Sequence, residues 1–531
     1  MSSQWDIIIV GAGSAGAVLA HRLSADPDRQ VLLLESGPDY PGEQISPFLR
    51  SRTLRTGLSM KPSHEMEPDY YFTDISARRR PDRSPMLYAR GRGAGGSSSV
   101  NGLVAVRPEQ DDWLRWEELG ARGWGPEPMQ RALIRLETDL DYPDSLHHGS
   151  GGPIPIHREA PDGWGDVDQA LNIAAERMGH PWYDDYNAPG STGRSRYPAN
   201  HTRELRRIST NHGYLDPVRS RPNLTIRGDS HVHAVEFDGQ RARRVRLSDG
   251  STVSVALDGE IILSAGAALS PAILLRSGIG PAHELARLQI PVVSDLPVGQ
   301  GAQDHAIAFV QFTPHPERHL PQGMRPTHLS VRYSSGLVGT GPNDMVILST
   351  NHNYWFGNDT AGLAVQLNQA TSRGTLWLPD AGSGTQPVIE QRLLTTSEDV
   401  VRMIDGVARA VDLMRQPEFS ALRTGEIQAP ASRLDLLGQV KDVMHLCSTA
   451  RMGSEGDPSA VVDSHCRILG AEGLRVVDAS IFPEIVSANI NLAVIAVAER
   501  AAELMVGIPT QTMDSPDSGG VLAKTPPVSI S

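Results

Sequence analysis

Three glycines near the start of the chain have the residue type and spacing needed to bind a dinucleotide. Gly11, Gly13 and Gly16 form a G-x-G-x-x-G pattern. The first glycine permits a tight turn, the second lets a pyrophosphate approach the backbone, and the third lets a helix pack against a strand. The phosphates are expected at the helix N-terminus, beside Ser14 and Ala15. This spacing predicts a dinucleotide site and does not distinguish FAD from NAD.

A carboxylate follows at the distance that such a site requires. Glu35 lies about 20 residues beyond the glycines, where it is placed to accept hydrogen bonds from an adenosine ribose and would repel a 2′-phosphate. The surrounding elements complete the unit, because Ile7 to Val10 is predicted to be a buried parallel strand, Ser14 to Leu23 a helix and Val31 to Leu34 a second strand. An ordinary glycine-rich turn, the alternative, does not require this order of elements.

A second stretch, Arg90 to Gly102, has the composition of a cofactor loop. It is dominated by glycine and serine, so it cannot build a core but offers backbone N–H groups and hydroxyls at close range. The alternative is a flexible linker. Because the following DDWLRWEELG is typical of a capped helix, an ordered loop is favoured.

The two cysteines of the chain, Cys447 and Cys466, exclude a disulfide scaffold and favour a reducing compartment. Each lies beside a histidine, His445 and His465, and the four side chains together resemble a set of zinc ligands. Neither pair has the two-residue spacing of a zinc knuckle. We therefore expect no metal.

Composition limits the classes of partner. The chain has 531 residues, a net charge of −13 and a pI near 5.8, which disfavours nucleic acid or an anionic membrane as a partner. No apolar stretch approaches the length of a membrane span. The first residues lead directly into a strand and lack a basic leader, so a secretory signal is not expected. These features predict a cytoplasmic protein.

Taken together, the motifs resemble those of the glucose-methanol-choline (GMC) oxidoreductase family. Gly91 to Asn101 is similar to the first family signature, with Ala94 where a larger aliphatic residue is usual. Gly266 to Gly280 matches the second signature at every defined position. Within the family, the nearest likeness is to oxidases of 5-hydroxymethylfurfural and related aromatic primary alcohols. Ser448, in place of a common glycine, and Gly299 to His305, a loose version of the usual stretch, depart from the pattern.

The resemblance implies FAD as the cofactor. In relatives that tether the flavin covalently, a histidine stands where this chain has Val100, so we expect noncovalent FAD. Besides the N-terminal residues above, the expected cofactor shell comprises Gly96, Ser97, Asn101, Val232, Asp478, Ala479 and Asn491.

The resemblance also points to a catalytic pair. His445 is expected to remove the hydroxyl proton of an alcohol, because the unperturbed histidine pKa lies near working pH. Asn489 is expected to donate a hydrogen bond to the developing alkoxide without competing for the proton. The alternatives are that His445 is a core histidine with satisfied hydrogen bonds and that Asn489 caps a helix.

The expected reaction is FAD-dependent oxidation of an aromatic or heteroaromatic primary alcohol to the aldehyde, with oxygen as acceptor. One alternative is a dehydrogenase that passes electrons to a quinone or another acceptor, and a second is a hydroxynitrile lyase in which the flavin is idle. An NAD(P)H-dependent reductase is disfavoured because a second strand-glycine-helix fingerprint is absent. A cation cage built from Tyr354, Trp355 and Phe356 stays open.

The predicted fold class is α/β and α+β, a Rossmann-like FAD-binding domain interleaved with a substrate domain on an antiparallel sheet flanked by helices. The predicted division assigns 1–155, 218–304 and 436–509 to the FAD-binding domain, 156–217 and 305–435 to the substrate domain, and 510–531 to a disordered tail. In the FAD-binding domain, Thr252 to Ala256 and Glu260 to Leu263 are predicted to be separate strands. In the substrate domain, the short run GTLWL, which begins at Gly374, is predicted to join the antiparallel sheet, and Ser397 to Met414 is predicted to be a helix.

Overall fold

The computed structural model describes residues 5–41, 44, 46, 49, 69–318, 320, 324–337, 340–353 and 359–507. The predicted tail, 510–531, and the aromatic triplet at 354–356 lie outside the described residues. Within the described chain, no helix combines the length and apolar character needed to cross a membrane.

A parallel sheet carries the N-terminal glycine pattern. Trp5–Val10 pairs with Val31–Leu34 on one side and with the C-terminal half of Thr252–Leu263 on the other. These strands are nearly continuous runs of buried apolar residues, as expected where both faces of a parallel sheet are covered. The strand order in this sheet is Leu224–Arg227, Val31–Leu34, Trp5–Val10, Thr252–Leu263 and Leu474–Val476.

One strand in this sheet corrects the sequence-based prediction. Thr252 to Ala256 and Glu260 to Leu263 were expected to be separate strands, but Thr252–Leu263 is continuous. The strand changes partners along its length. Its first residues pair antiparallel with Arg241–Leu247, which pairs with Val232–Asp238, and its last residues run parallel to Trp5–Val10. Such a change of partner breaks the hydrophobic pattern without ending the strand.

An antiparallel sheet forms a second layer, as predicted. Its strands, in order, are Arg423–Gln428, Ala306–Pro314, Ala361–Leu367, Met345–Thr350, Leu329–Tyr333 and Gly193–Arg196, and Lys441–Asp442 also pairs with Ala306–Pro314. Helix Ser397–Met414, predicted with the same bounds, lies on this sheet. A Cβ at Gly406 would come within 2.5 Å of Val365, so this glycine sets how closely the helix approaches.

Smaller sheets join distant parts of the chain. Gly374–Trp377, predicted for the antiparallel sheet, belongs instead to a sheet with order Gln300–Ala302, Gly374–Trp377, Val388–Glu390, Ser76–Arg78 and Met86–Leu87. A short alternating run alone does not specify which edge it will pair with. Two further pairs are Tyr71–Phe72 with Arg90–Gly91, and Glu137–Asp139 with Ile154–Ile156.

The helix that matters most for the site is Ile490–Val506. It is almost wholly buried and packs on Ser14–Leu23, the helix that follows the glycine pattern. It ends at Gly507, whose φ of 66° is left-handed and suits a glycine. The other α-helices of the described residues are Gln110–Glu118, Pro126–Leu136, Asp166–Arg177, Leu269–Arg276, Ala282–Arg287, Pro417–Ser420 and Arg433–Gln439.

Candidate active site

A cavity of about 1750 Å³, its open mouth included, runs along the carboxyl ends of the parallel strands. We call it the central cavity. The predicted cofactor residues that line it are Gly11, Gly13, Ser14, Ala15, Glu35, Gly96, Ser97, Asn101, Val232, Asp478, Ala479 and Asn491. Both predicted catalytic residues, His445 and Asn489, also line it. The structure thus brings together segments that are far apart in the sequence.

Gly16 is the predicted cofactor residue that is not on the cavity wall. A Cβ on Gly16 would lie 1.8 Å from the carbonyl oxygen of Gly11, so this glycine lets the helix pack against the preceding turn. Gly13 faces the cavity, and a Cβ there would meet nothing closer than the Cα of Gly96, at 4.0 Å. The backbone at Gly13 is therefore open to a bound group.

Helix Ser14–Leu23 presents its N-terminus to the cavity. No side chain caps this end, so the first-turn N–H groups remain available to an anion. The Ser14 hydroxyl donates to Asn491 Oδ1 at 3.0 Å, which ties the turn to the start of the C-terminal helix.

Glu35, predicted to contact a ribose, also makes hydrogen bonds within the protein. Its carboxylate accepts from the backbone N–H groups of Ala12 (2.8 Å), Gly37 (2.9 Å) and Gly93 (3.0 Å). Burial raises the pKa of this carboxyl, and the three N–H donors oppose that rise. Glu35 therefore fastens the second glycine-rich loop to the first, and Oε2, with one donor, keeps room for a further hydrogen bond.

Asp478 holds the opposite wall in the same manner. It accepts from the N–H of Gly266 (2.9 Å), the hydroxyl of Ser270 (2.6 Å) and both the N–H and hydroxyl of Ser480. Burial raises the pKa of this carboxyl as well. The second sequence signature is thus joined to the C-terminal segment through one buried carboxylate.

His445 and Asn489 lie side by side on the cavity wall. The Nδ2 atom of Asn489 is 3.4 Å from Nε2 of His445. Asn489 occupies the N-cap position of helix Ile490–Val506, yet its side chain makes no capping hydrogen bond. Its Oδ1 instead accepts from the hydroxyl of Tyr197 at 2.9 Å, which directs Nδ2 toward His445. This orientation argues against helix capping as the purpose of the asparagine.

The surroundings keep the His445 imidazole neutral. Burial is the largest cause, and the positions of His305 and Arg90 add to it, so the pKa of His445 lies well below 6.5. A neutral imidazole with an accessible nitrogen is the form that can take a proton.

The segment that carries His445 is fixed from several directions. Its backbone N–H donates to Asp304 Oδ1 at 2.8 Å, and the N–H of Leu446 donates to the hydroxyl of Tyr88 at 3.1 Å. Tyr88 in turn donates to Asp304 Oδ2 at 2.7 Å. Burial and the nearby Asp442 raise the pKa of Asp304 to about 7. The histidine is therefore held by its backbone as well as its ring.

Ser448, noted as a departure from the usual glycine, has a φ of 64°. This left-handed conformation explains why glycine is common at the position, since a side chain there costs about 1 kcal/mol. The hydroxyl of Ser448 lies 3.5 Å from Oε1 of Gln303.

Sequence reasoning missed three residues of the site. His305 contacts the His445 ring, Tyr197 contacts Asn489, and Arg276 lines the cavity. His305 and Arg276 lie within stretches already singled out, so their residue types were a usable signal. Tyr197 had none, because nothing local marks a tyrosine that meets an asparagine 292 residues away.

A second group of buried charges lies apart from the cavity wall, and we call it the His148 cluster. His148 contacts Glu137 (2.6 Å) and Asp185 (2.7 Å), and Glu137 also accepts from Arg107. Asp139 belongs to the cluster and pairs with Arg158 at 2.9 Å. Glu137, Asp139 and His148 are close enough to hold a cation, but the two guanidinium groups already neutralise the carboxylates. The cluster is a salt-bridge network.

His445, Cys447, His465 and Cys466, which resemble zinc ligands in the sequence, do not form a cluster in the described structure. His445 is engaged with His305, Cys447 and Cys466 are buried, and His465 is exposed.

Family models described as GMC oxidoreductase match residues 5–307 and 370–498. The chain is 34% identical to 5-(hydroxymethyl)furfural oxidase of Methylovorus sp. (strain MP688), over 94% of this chain and 98% of that protein. It is 33% identical to an oxygen-dependent choline dehydrogenase of Escherichia coli O127:H6, over 95% of this chain and 96% of that protein. Among solved structures, pyridoxine 4-oxidase from Mesorbium loti superposes with a TM-score of 0.85 and 27% identity, covering 95% of this chain and 100% of that chain.

Proposed function

Since the chain belongs to the GMC oxidoreductase family of FAD-dependent alcohol oxidases and dehydrogenases, we propose that it oxidises an aromatic or heteroaromatic primary alcohol to the aldehyde with oxygen as acceptor. The observation that carries the proposal is the pair of His445 Nε2 and Asn489 Nδ2, 3.4 Å apart on the cavity wall. A base and a neutral hydrogen-bond donor at this separation can contact one hydroxyl oxygen together.

The residues of the central cavity fit FAD. The open backbone at Gly13, the uncapped helix N-terminus and the remaining acceptor site on Glu35 suit a pyrophosphate and a ribose. FAD, when bound, supplies the acceptor for a hydride from the alcohol carbon. In this proposal, His445 Nε2 takes the hydroxyl proton, Asn489 Nδ2 donates to the oxygen as negative charge develops, and Tyr197 keeps that amide oriented. The alcohol loses one proton and one hydride, so the aldehyde is the product.

An apolar substrate is supported by the residues next to His445. Met444 packs against a cluster that contains Tyr71, Ala89 and Val100, and these residues line the same cavity. Among the described lining residues, the carboxylates are Glu35 and Asp478, and both are engaged by backbone N–H groups. The described wall thus offers little to a cationic substrate such as choline and suits an uncharged ring.

Oxygen as the acceptor is supported by the names of two relatives, a furfural oxidase and a pyridoxine oxidase. The relative named as an oxygen-dependent choline dehydrogenase has almost the same identity, so oxidation of choline by a dehydrogenase, with oxygen or another acceptor, is the second candidate. We also propose that the chain divides into the FAD-binding domain and the substrate domain at the bounds predicted from the sequence, and that the protein is cytoplasmic.

We also propose that FAD is held without a covalent bond. Val100, which is buried and lines the cavity, has no nucleophilic atom. Acid precipitation of the yellow holoenzyme should leave the flavin in the supernatant, and flavin retained in the pellet would contradict the proposal.

An anaerobic substrate screen tests the reaction itself. The holoenzyme is mixed by stopped flow with benzyl alcohol, 5-hydroxymethylfurfural, choline and glucose, and flavin absorbance is followed before and after air is admitted. We expect rapid bleaching by the two aromatic alcohols and recovery of colour in air. Bleaching by choline or glucose alone would refute the substrate, and a reduced flavin that persists in air would indicate a dehydrogenase. A cyanohydrin is tested separately, and its cleavage with unchanged flavin absorbance would indicate a lyase.

A further inference from the structure

A second histidine lies directly against the ring of His445. His305 is fully buried and is not part of the cavity wall. Its Nδ1 atom is 2.8 Å from Nδ1 of His445, and the two rings meet nearly at right angles, with centroids 5.1 Å apart. The His305 ring therefore contacts the nitrogen of His445 that is opposite the one near Asn489.

The other nitrogen of His305 determines where the protons lie. Its Nε2 is 2.9 Å from the carbonyl oxygen of Asn368 and 3.0 Å from that of Val486. Carbonyl oxygens only accept, so Nε2 of His305 must carry a hydrogen. In a neutral imidazole the second nitrogen is then an acceptor, so Nδ1 of His305 accepts from Nδ1–H of His445. The remaining nitrogen of His445, Nε2, is left with its lone pair.

We propose that His305 is a positioning residue that fixes His445 as the Nδ1–H tautomer and so keeps Nε2 of His445 unprotonated toward the substrate. The inference rests on the proposed role of His445 as the base. It assigns a purpose to the stretch Gly299 to His305, which departs from the family pattern.

The same contact assists the proton transfer. When Nε2 of His445 takes the hydroxyl proton, the ring becomes an imidazolium, and its Nδ1–H donates to His305 as a charge-assisted hydrogen bond. Burial lowers the pKa of His305 to about 4, so His305 is a neutral acceptor near neutral pH, before the transfer begins. The acceptor in this contact is the neutral ring of His305. A carboxylate in its place would stabilise the imidazolium more strongly. A neutral acceptor orients the base without making it strongly basic.

The charged groups around the pair are consistent with this role. The carboxyl of Asp304 faces the backbone N–H of His445, Tyr88 and Gln391 rather than either ring. Arg90, whose guanidinium donates to the carbonyl of Met444, is the cation that acts on His445. Asn368 and Val486 present carbonyl oxygens to His305.

The two histidines are also held together by backbone. Gln303 and Cys447 exchange N–H···O hydrogen bonds of 3.1 and 3.0 Å, and the side chain of Gln303 accepts from the N–H of Ile485 at 3.0 Å. Three segments therefore meet at one rigid point, and the contact between the rings is built before any substrate arrives.

A direct test reads the tautomer in the holoenzyme. Two-dimensional NMR with ¹⁵N-labelled histidine distinguishes protonated from unprotonated ring nitrogens, and the His445→Ala variant identifies the His445 signals by their loss. We expect Nδ1 of His445 to be protonated and Nε2 to be unprotonated near neutral pH. A proton on Nε2 of His445 would overturn the proposal, whatever the kinetics show.

A pair of variants at one position tests the role in turnover. His305→Asn places an amide oxygen where Nδ1 was and keeps an acceptor, whereas His305→Leu removes it. We expect the leucine variant to reduce its flavin about 10 to 100 times more slowly with FAD still bound, and the asparagine variant to stay within a few-fold of wild type. Equal rates in the two variants would show that the histidine serves packing alone.

The two proposals fail in different ways. A His445→Ala variant with a normal rate of flavin reduction would refute the base, and the tautomer proposal would lose its function with it. A slow His445→Ala variant together with equal His305 variants would refute the positioning role and leave the base intact.

Discussion

Two histidine environments in this molecule, one half-buried on the cavity wall and one buried away from it, give opposite results. On the cavity wall, His445 contacts a neutral imidazole and a neutral amide, and its pKa lies well below 6.5. In the His148 cluster, burial alone would lower the histidine pKa, but hydrogen bonds to Asp185 and Glu137 outweigh it and raise the pKa to about 9. One histidine is kept neutral and the other is kept charged.

The difference shows that burial does not by itself decide what a histidine does. Loss of water disfavours the charged ring in both places, and the first neighbours then set the outcome. The ring of His445, which has no carboxylate partner among the described residues, is neutral and can accept a proton. His148, which lies between carboxylates, stays protonated as a cation.

The largest effect is expected at His445. We expect His445→Ala to slow anaerobic flavin reduction by about 10² to 10⁴-fold, because the hydroxyl proton loses its acceptor. His465→Ala, which removes an exposed histidine nearby in sequence, should leave the rate unchanged. The measurement is stopped-flow absorbance with an aromatic alcohol. A normal rate with FAD bound would place the base elsewhere.

Asn489 should have the next largest effect. Asn489→Ala removes the donor to the developing alkoxide and is expected to slow flavin reduction by about 10² to 10³-fold. The loss should fall on the reduction rate rather than on substrate affinity. Since the side chain does not cap its helix, thermal stability should stay near that of wild type. A large drop in the unfolding temperature with normal reduction would favour the capping interpretation.

His148 should affect stability and leave chemistry alone. His148→Gln replaces a buried cation by a neutral amide and leaves carboxylates without their charged donor, so we expect a loss of about 2 to 3 kcal/mol in unfolding free energy. That corresponds to roughly a 30- to 150-fold shift in the folding equilibrium. The adjacent and exposed His147 offers a matched control, His147→Gln, which should behave as wild type. A rate defect in folded His148→Gln would break the comparison.

The two pH profiles should mirror each other. The rate of flavin reduction should rise with pH in a range below 6.5 and then stay flat, because the pKa of His445 is lowered. The stabilising effect of His148 should be complete below pH 6.5 and be lost as the pH rises through about 9, because its native pKa is raised. Denaturant unfolding of wild type and His148→Gln at several pH values measures the difference in unfolding free energy between them. A difference that grows above pH 9 would contradict this prediction.

How far the sequence predicted these environments depends on the distance between partners. Gly11, Gly13, Gly16 and Glu35 form a local pattern, and three of the four line the cavity. The sequence marked His445 and Asn489 as a pair but left Asn489 open to a capping role. The sequence marked the stretch that contains His305, but the contact between His305 and His445 joins residues 140 apart, so local pattern could not show it.

The bounds of helices and strands also show that local features are predictable and long-range contacts are not. Helices Ser14–Leu23 and Ser397–Met414 have the predicted bounds, because their apolar spacing and end residues are local. The strand Thr252–Leu263 was divided wrongly, since its change of partner is a property of the sheet. The His148 cluster was not foreseen, because its acidic and basic partners lie 11 to 37 residues apart and meet only when strand Glu137–Asp139 packs against neighbouring segments.

The hydrogen bond between Ser14 and Asn491 spans 477 residues and has a consequence for biosynthesis. The glycine turn is synthesised 477 residues before its partner in helix Ile490–Val506, which completes the wall beside it. The nascent chain must therefore carry an incomplete cofactor site while all the intervening residues are made. Stable capture of the cofactor has to wait until the later helix docks on the earlier one.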